Sequence, residues 1–117
     1  MKNSTIYNIV SFSEKRAVVR FDAGSEILGA HFPERAIVPG SCLIEMTREL
    51  VERILNKPLI IKEIKSVKFV SVIEPSLTPE VIFDFENDGD DELLWRVTVC
   101  DGQKSFAKMK IEFSYEQ

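Results

Sequence analysis

AHFPERAIVPGSCLIE, from Ala30 to Glu45, is the stretch on which the reading of this chain turns. It opens as a loop and ends as a helix, and the Pro39-Gly40 pair punctuates the change. From Gly40 onward, Leu43, Met46, Thr47, Leu50 and Ile54 fall on one stripe, with Val51 and Leu55 on its flank. That spacing predicts an amphipathic helix, which Asn56 and Pro58 bring to a stop. The helix is apolar over well over half its circumference, so a sheet is expected to wrap around it. The stretch also holds His31, the single histidine of the chain, and Glu45, within the helix's first two turns. One imidazole, one carboxylate and one helix N-terminus are the parts needed to move a proton beside a carbonyl.

Working outward, residues 5–12 (TIYNIVSF) and 16–21 (RAVVRF) are short and β-rich, with the polar turn Ser13-Glu14-Lys15 between them. A loop with prolines and glycines runs from Asp22 to Pro39. Everything after Leu59 reads as strand. Val67, Phe69 and Ile73 lean apolar before the break at Glu74-Pro75-Ser76. Val81, Phe83 and Phe85 then alternate with Ile82, Asp84 and Glu86, the period of a half-buried strand. The acidic segment 87–91 reverses the chain into Leu93, Trp95, Val97 and Val99. Asp101-Gly102 predicts a two-residue hairpin. Phe106, Met109, Ile111 and Phe113 follow, with a bulge or face change between Phe106 and Met109. The expected fold class is α+β, with about five or six mostly antiparallel strands and one central helix. No internal repeat, low-complexity tract or linker interrupts it, so residues 1–117 are expected to form a single domain.

Composition narrows the function. A chain of 117 residues with 44% hydrophobic content can bury a real core, yet a domain this small often pairs with a copy of itself. Its net charge of −4 does not favour nucleic acid. The opening MKNSTIYNIV lacks the apolar run of a signal peptide, and no stretch approaches a membrane span, so a cytoplasmic protein without membrane insertion is expected. Cys42 and Cys100 are too few for a disulfide framework and too isolated for a zinc site, so no metal is expected. Cys42 lies near the helix start but has no second histidine as its base, and Ser41 lacks a GxSxG setting.

The opening stretch resembles the 3-hydroxyacyl-acyl-carrier-protein dehydratases of fatty acid synthesis and their hot-dog-fold relatives. Their usual sequence there reads like GHFPGxPxxPGxxxxE. This chain has Ala30-His31-Phe32-Pro33, then Pro39-Gly40 and Glu45, at the same spacing and without a gap. Phe21-Asp22-Ala23, Ile27-Leu28, and the run from Val67-Lys68-Phe69 to Glu74-Pro75 also resemble the family, so the similarity spans roughly residues 17–114. The departures are Ala30 for the usual Gly, Glu34-Arg35-Ala36 for Gly-x-Pro, Met46 for a small residue, and Glu49 for a glutamine.

The resemblance implies a hot-dog fold, an antiparallel sheet of about five or six strands wrapped around one central helix. It also implies a dehydratase that converts 3-hydroxyacyl-acyl carrier protein to trans-2-enoyl-acyl carrier protein in fatty acid or related lipid or polyene synthesis. His31 would take the C2 proton and Glu45 would protonate, or activate through water, the departing hydroxyl. The Gly40 N–H at the helix start would hydrogen-bond the thioester carbonyl. Phe32, Pro39 and Met46 would border the substrate; Met46 either points along the acyl tunnel or, from the edge of the apolar stripe, packs into the core. Burial in that tunnel, and Glu49 one turn along, would raise the pKa of Glu45. By periodicity alone Glu45, Arg48, Glu49 and Glu52 form an ordinary solvated stripe, and only the spacing to His31 sets Glu45 apart.

No cofactor is implied, because phosphopantetheine belongs to the substrate carrier. Arg35, Lys62, Lys65 and Lys68 are a candidate docking patch for the acidic acyl carrier protein. A homodimer is expected, with a higher oligomer open, and its sites would draw His31 and Glu45 from different subunits. Two alternatives stand beside this reading. One is a hot-dog thioesterase; the other is a non-catalytic acyl-binding subunit of a dehydratase complex.

Overall fold

The computed structural model describes residues 6–22 and 37–117. Strands β1 (Tyr7–Phe12) and β2 (Arg16–Phe21) form a hairpin, followed by the helix α1 (Gly40–Leu55). Four longer strands complete the chain: β3 (Leu59–Phe69), β4 (Glu80–Asp88), β5 (Asp91–Cys100) and β6 (Ser105–Tyr115). Among the described residues every pairing is antiparallel, and one six-stranded sheet runs β1-β2-β4-β5-β6-β3. This is the α+β arrangement the periodicities predict.

Alternation decides which side of the sheet faces the helix. Ala17, Val19 and Phe21, Val81 and Phe83, Val97 and Val99, and Met109, Ile111 and Phe113 are all buried on one side. They join Leu43, Met46, Leu50 and Val51 of α1 in one core. Each fully buried Val, Leu, Ile, Phe or Met side chain among them contributes ~1.5–3 kcal/mol relative to exposure. Phe85 stands between Phe83 and Trp95, stacked on the first and edge-on to the second.

The helix ends are local chemistry. Pro39 is extended and precedes the first turn without a side-chain cap. At the other end Asn56 adopts the left-handed conformation at φ 56°, and its N–H donates to Glu52 O at 2.7 Å. The Glu52 carboxylate accepts the Leu59 N–H at 2.7 Å and the Arg48 Nη1 at 2.6 Å, which ties the turn onto the start of β3.

Three details differ from or extend the expectations. The β5–β6 reversal centres on Gly102 and Gln103, one residue beyond the expected pair. The Asp101 carboxylate there accepts the N–H groups of Gln103 and Lys104, both at 2.9 Å, and Gly102 takes φ 94°. The expected bulge in β6 is present, with Phe106 as the extra residue between the pairs Cys100–Ser105 and Val99–Ala107. Strand β3 carries two more bulges, at Lys62 and Lys65, which let both lysines reach the outward face.

Candidate functional site

The start of α1 is built from backbone. The first helical hydrogen bonds run from the N–H groups of Cys42 and Leu43 to Pro39 O, so the Gly40 N–H lies ahead of the ladder. It opens on a groove of about 360 Å³, lined by Ile37–Gly40, Leu43 and Phe69–Ile73. The Val38 N–H donates to Ile73 O at 2.9 Å and fixes the approach to the helix. Phe69, half exposed, lays its ring over Gly40: a Cβ at Gly40 would stand 2.4 Å from the ring's Cζ. Any side chain at Gly40 would have to displace this ring. Sequence reading singled out Gly40 and Pro39 but not Phe69, whose placement depends on the path of β3.

Glu45 is one and a half turns further along. Its side chain is 53% exposed and forms a two-point ion pair with Arg48, Nε to Oε1 at 3.0 Å and Nη2 to Oε2. The hydrogen bonds that Arg48 donates to the Glu45 carboxylate hold its guanidinium above its ordinary pKa. The expectation of a Glu45 sunk in apolar surroundings is therefore corrected within this chain. Arg48 is anchored in turn by Glu52 and by Leu59 O.

The buried acid is Glu49. It is only 7% exposed, and the Tyr7 hydroxyl, 42 residues away in sequence, donates to its Oε1 at 2.7 Å. Burial pushes the Glu49 carboxyl above the usual carboxylate range, opposed by the Tyr7 hydrogen bond and aided by the charge of Glu45. Burial, with Glu49 beside it, also pushes Tyr7 up, so Tyr7 remains the proton donor of the pair. A second groove of about 600 Å³ opens over this pair, rimmed by Asn8, Arg53, Asn56 and Lys57.

A carboxyl whose folded pKa is raised favours the folded state fully below its unfolded value, 4.5, and that contribution is lost as pH rises through the folded pKa. Glu49→Gln keeps an acceptor for Tyr7 and removes the titration. It should raise stability at about pH 8 more than at about pH 4 in urea melts. Equal effects at both pH values would contradict this account.

Met46 is 1% exposed and lies in the core, not along either groove, the second of the two placements open to it. The phase of the helix explains this: Met46 lies one residue past Glu45, turned from the outer face into the stripe with Leu43 and Leu50. Burial raises the Cys42 thiol pKa, consistent with an inert cysteine. Lys62 and Lys65 reach the Glu112 carboxylate at 3.5 and 3.4 Å, whereas Lys68 is exposed on the same strand. His31, Phe32 and Arg35 lie outside the described residues.

The chain shares the hot-dog fold with several solved structures. The dehydratase heterocomplex ApeI:P from Xenorhabdus doucetiae superposes with a TM-score of 0.74 at 18% identity, covering 97% of this chain and 98% of that one. An uncharacterized protein from Pyrococcus horikoshii gives 0.69 at 12% identity over 100% and 88%. The PaaI protein of E. coli gives 0.58 at 13% identity over 95% and 80%. At these identities the structures show the fold alone. No curated protein matches the chain by sequence. The ApeI-like family model, described as ApeI dehydratase, matches residues 10–110, and the chain belongs to this dehydratase family. The matched span contains His31, Gly40 and Glu45.

Proposed function

We propose that this protein dehydrates 3-hydroxyacyl groups carried as thioesters on acyl carrier protein, releasing trans-2-enoyl thioesters. The observation that carries the reading is the backbone of Gly40, set ahead of the helical ladder at an apolar groove, with Glu45 on the same helix. A thioester carbonyl accepting the Gly40 N–H would develop its enolate charge at the positive end of the helix dipole. His31 then abstracts the C2 proton, and Glu45, released from Arg48, delivers a proton to the C3 hydroxyl as it leaves as water. The electron pair of the C2–H bond becomes the C2–C3 double bond. Product analysis tests the reading, because a thioesterase would release a free acid instead.

The site also asks for a second chain. Among the described residues strand β3 is an edge of the sheet, and Ile64, Val67 and Phe69 on its inward side are exposed, with Val70 and Val72 beyond them. An unpaired edge beside an uncovered apolar row is a pairing surface. A two-fold partner laid along β3 would cover both and border the groove at Gly40. We assign that place to a second copy of this chain, with His31 of one copy serving Glu45 of the other. Native mass measurement should give a dimer. Refolding inactive His31→Ala chains with inactive Glu45→Gln chains should restore activity, because the heterodimer regains one intact site. A fully active monomer, or mixed chains that stay inactive while forming heterodimers, would contradict the shared site.

A further inference from the structure

The outward face of the sheet holds a cluster of cations that the fold does not neutralise. In the register of β3, β6 and β5, Lys68 stands directly opposite Lys108, and Lys110 directly opposite Arg96. The residues alternating with them on β6, Ala107, Met109 and Ile111, are buried against the helix, so these four side chains share the outer side. Lys62 and Lys65 are already engaged by Glu112, and Lys65 also by Glu63. Arg16 is engaged by Asp84 and Arg20 by Glu80. Lys68, Lys108, Lys110 and Arg96 form no ion pair among the described residues, although Glu86 occupies the register position opposite Arg96 on β4. Like charges directly opposite each other destabilise a sheet. The chain keeps this arrangement although its net charge is −4.

We propose that this face, centred on Lys68, Lys108, Lys110 and Arg96, is where the acidic surface of the acyl carrier protein docks. The identity of the occupant rests on the function proposed above; the charge pattern does not. Carboxylates of the carrier would complete the two cross-strand cation pairs that the fold leaves open. Position also supports this occupant. Lys68 points outward, and the next residue, Phe69, points inward over Gly40. The strand ends there, so a flexible thioester arm can round Val70–Val72 and enter the groove at the helix start. This moves the centre of the docking surface away from Lys62 and Lys65, which the sequence puts forward, and onto β6 and β5.

The test uses the double variant Lys108→Glu/Lys110→Glu. Each change sets an acid opposite a cation, Lys68 or Arg96, so the sheet gains attractive pairs as the patch loses its charge. The same 3-hydroxyacyl group is supplied on acyl carrier protein and on free pantetheine. The expected result is a fall of about tenfold or more in kcat/KM with the carrier substrate, a flatter salt dependence, and unchanged kinetics with the pantetheine thioester. Unchanged carrier kinetics, or an equal fall with both substrates, would overturn the proposal. Retained carrier binding with lost binding to phosphatidylglycerol vesicles would overturn it in favour of a membrane surface. Fluorescence anisotropy with labelled carrier protein reads docking directly, so docking can be judged even if neither substrate is dehydrated.

Discussion

Replacing His31 by Ala or Glu45 by Gln should each lower dehydration by ~10²–10⁴-fold, the usual cost of losing a general base or acid. The effect should fall on chemistry and leave the fold in place. Glu45 is exposed, and its pair with Arg48 is of the kind worth at most ~1 kcal/mol at a surface. Arg48 keeps Glu52 and Leu59 O as partners when Glu45 becomes Gln. Circular dichroism and urea melts would verify the fold, and turnover would be followed on a carrier-bound substrate. Near-wild-type turnover in both variants would remove these residues from the site.

Met46→Ala should destabilise the protein by ~2–5 kcal/mol, the range for truncating a buried methionine to alanine. The residue is sealed between the helix and the sheet, in the same core as Leu50 and Met109. A shortened side chain there leaves a cavity that the close-packed sheet can only partly fill. The preference for acyl chain length should not change. A shift toward longer chains with little loss of stability would return Met46 to the role of tunnel wall.

The contrast between Glu45, Met46 and Glu49 shows what the sequence makes legible and what it does not. Helix α1 can be read from the sequence because three signals agree: Pro39-Gly40 at its start, a stripe of apolar residues, and Asn56 with Pro58 at its end. The strands are legible where inward and outward residues alternate in hydrophobicity, as in β4 and β5. The burial of Glu49 is not, because Glu45, Arg48, Glu49 and Glu52 look like one solvated face. What makes burial tolerable is Tyr7, a partner on a strand remote in sequence. The β3 bulges are hidden for a related reason. Lys62 and Lys65 are polar residues in a polar-apolar run, and only pairing with β6 shows where the register slips. Phe69 reads as an ordinary strand residue until the fold lays its ring on Gly40. The family motif marks the chemistry, whereas the packing around it comes from contacts between distant segments.

The most direct test of the central claim is product analysis. The purified protein would be incubated with 3-hydroxyacyl carrier proteins of graded chain length and followed by mass spectrometry and ultraviolet absorbance. The account predicts a carrier-bound product lighter by the mass of one water, with the absorbance of a conjugated enoyl thioester, for at least one chain length. Release of the free hydroxy acid, or no change at any length, would contradict it.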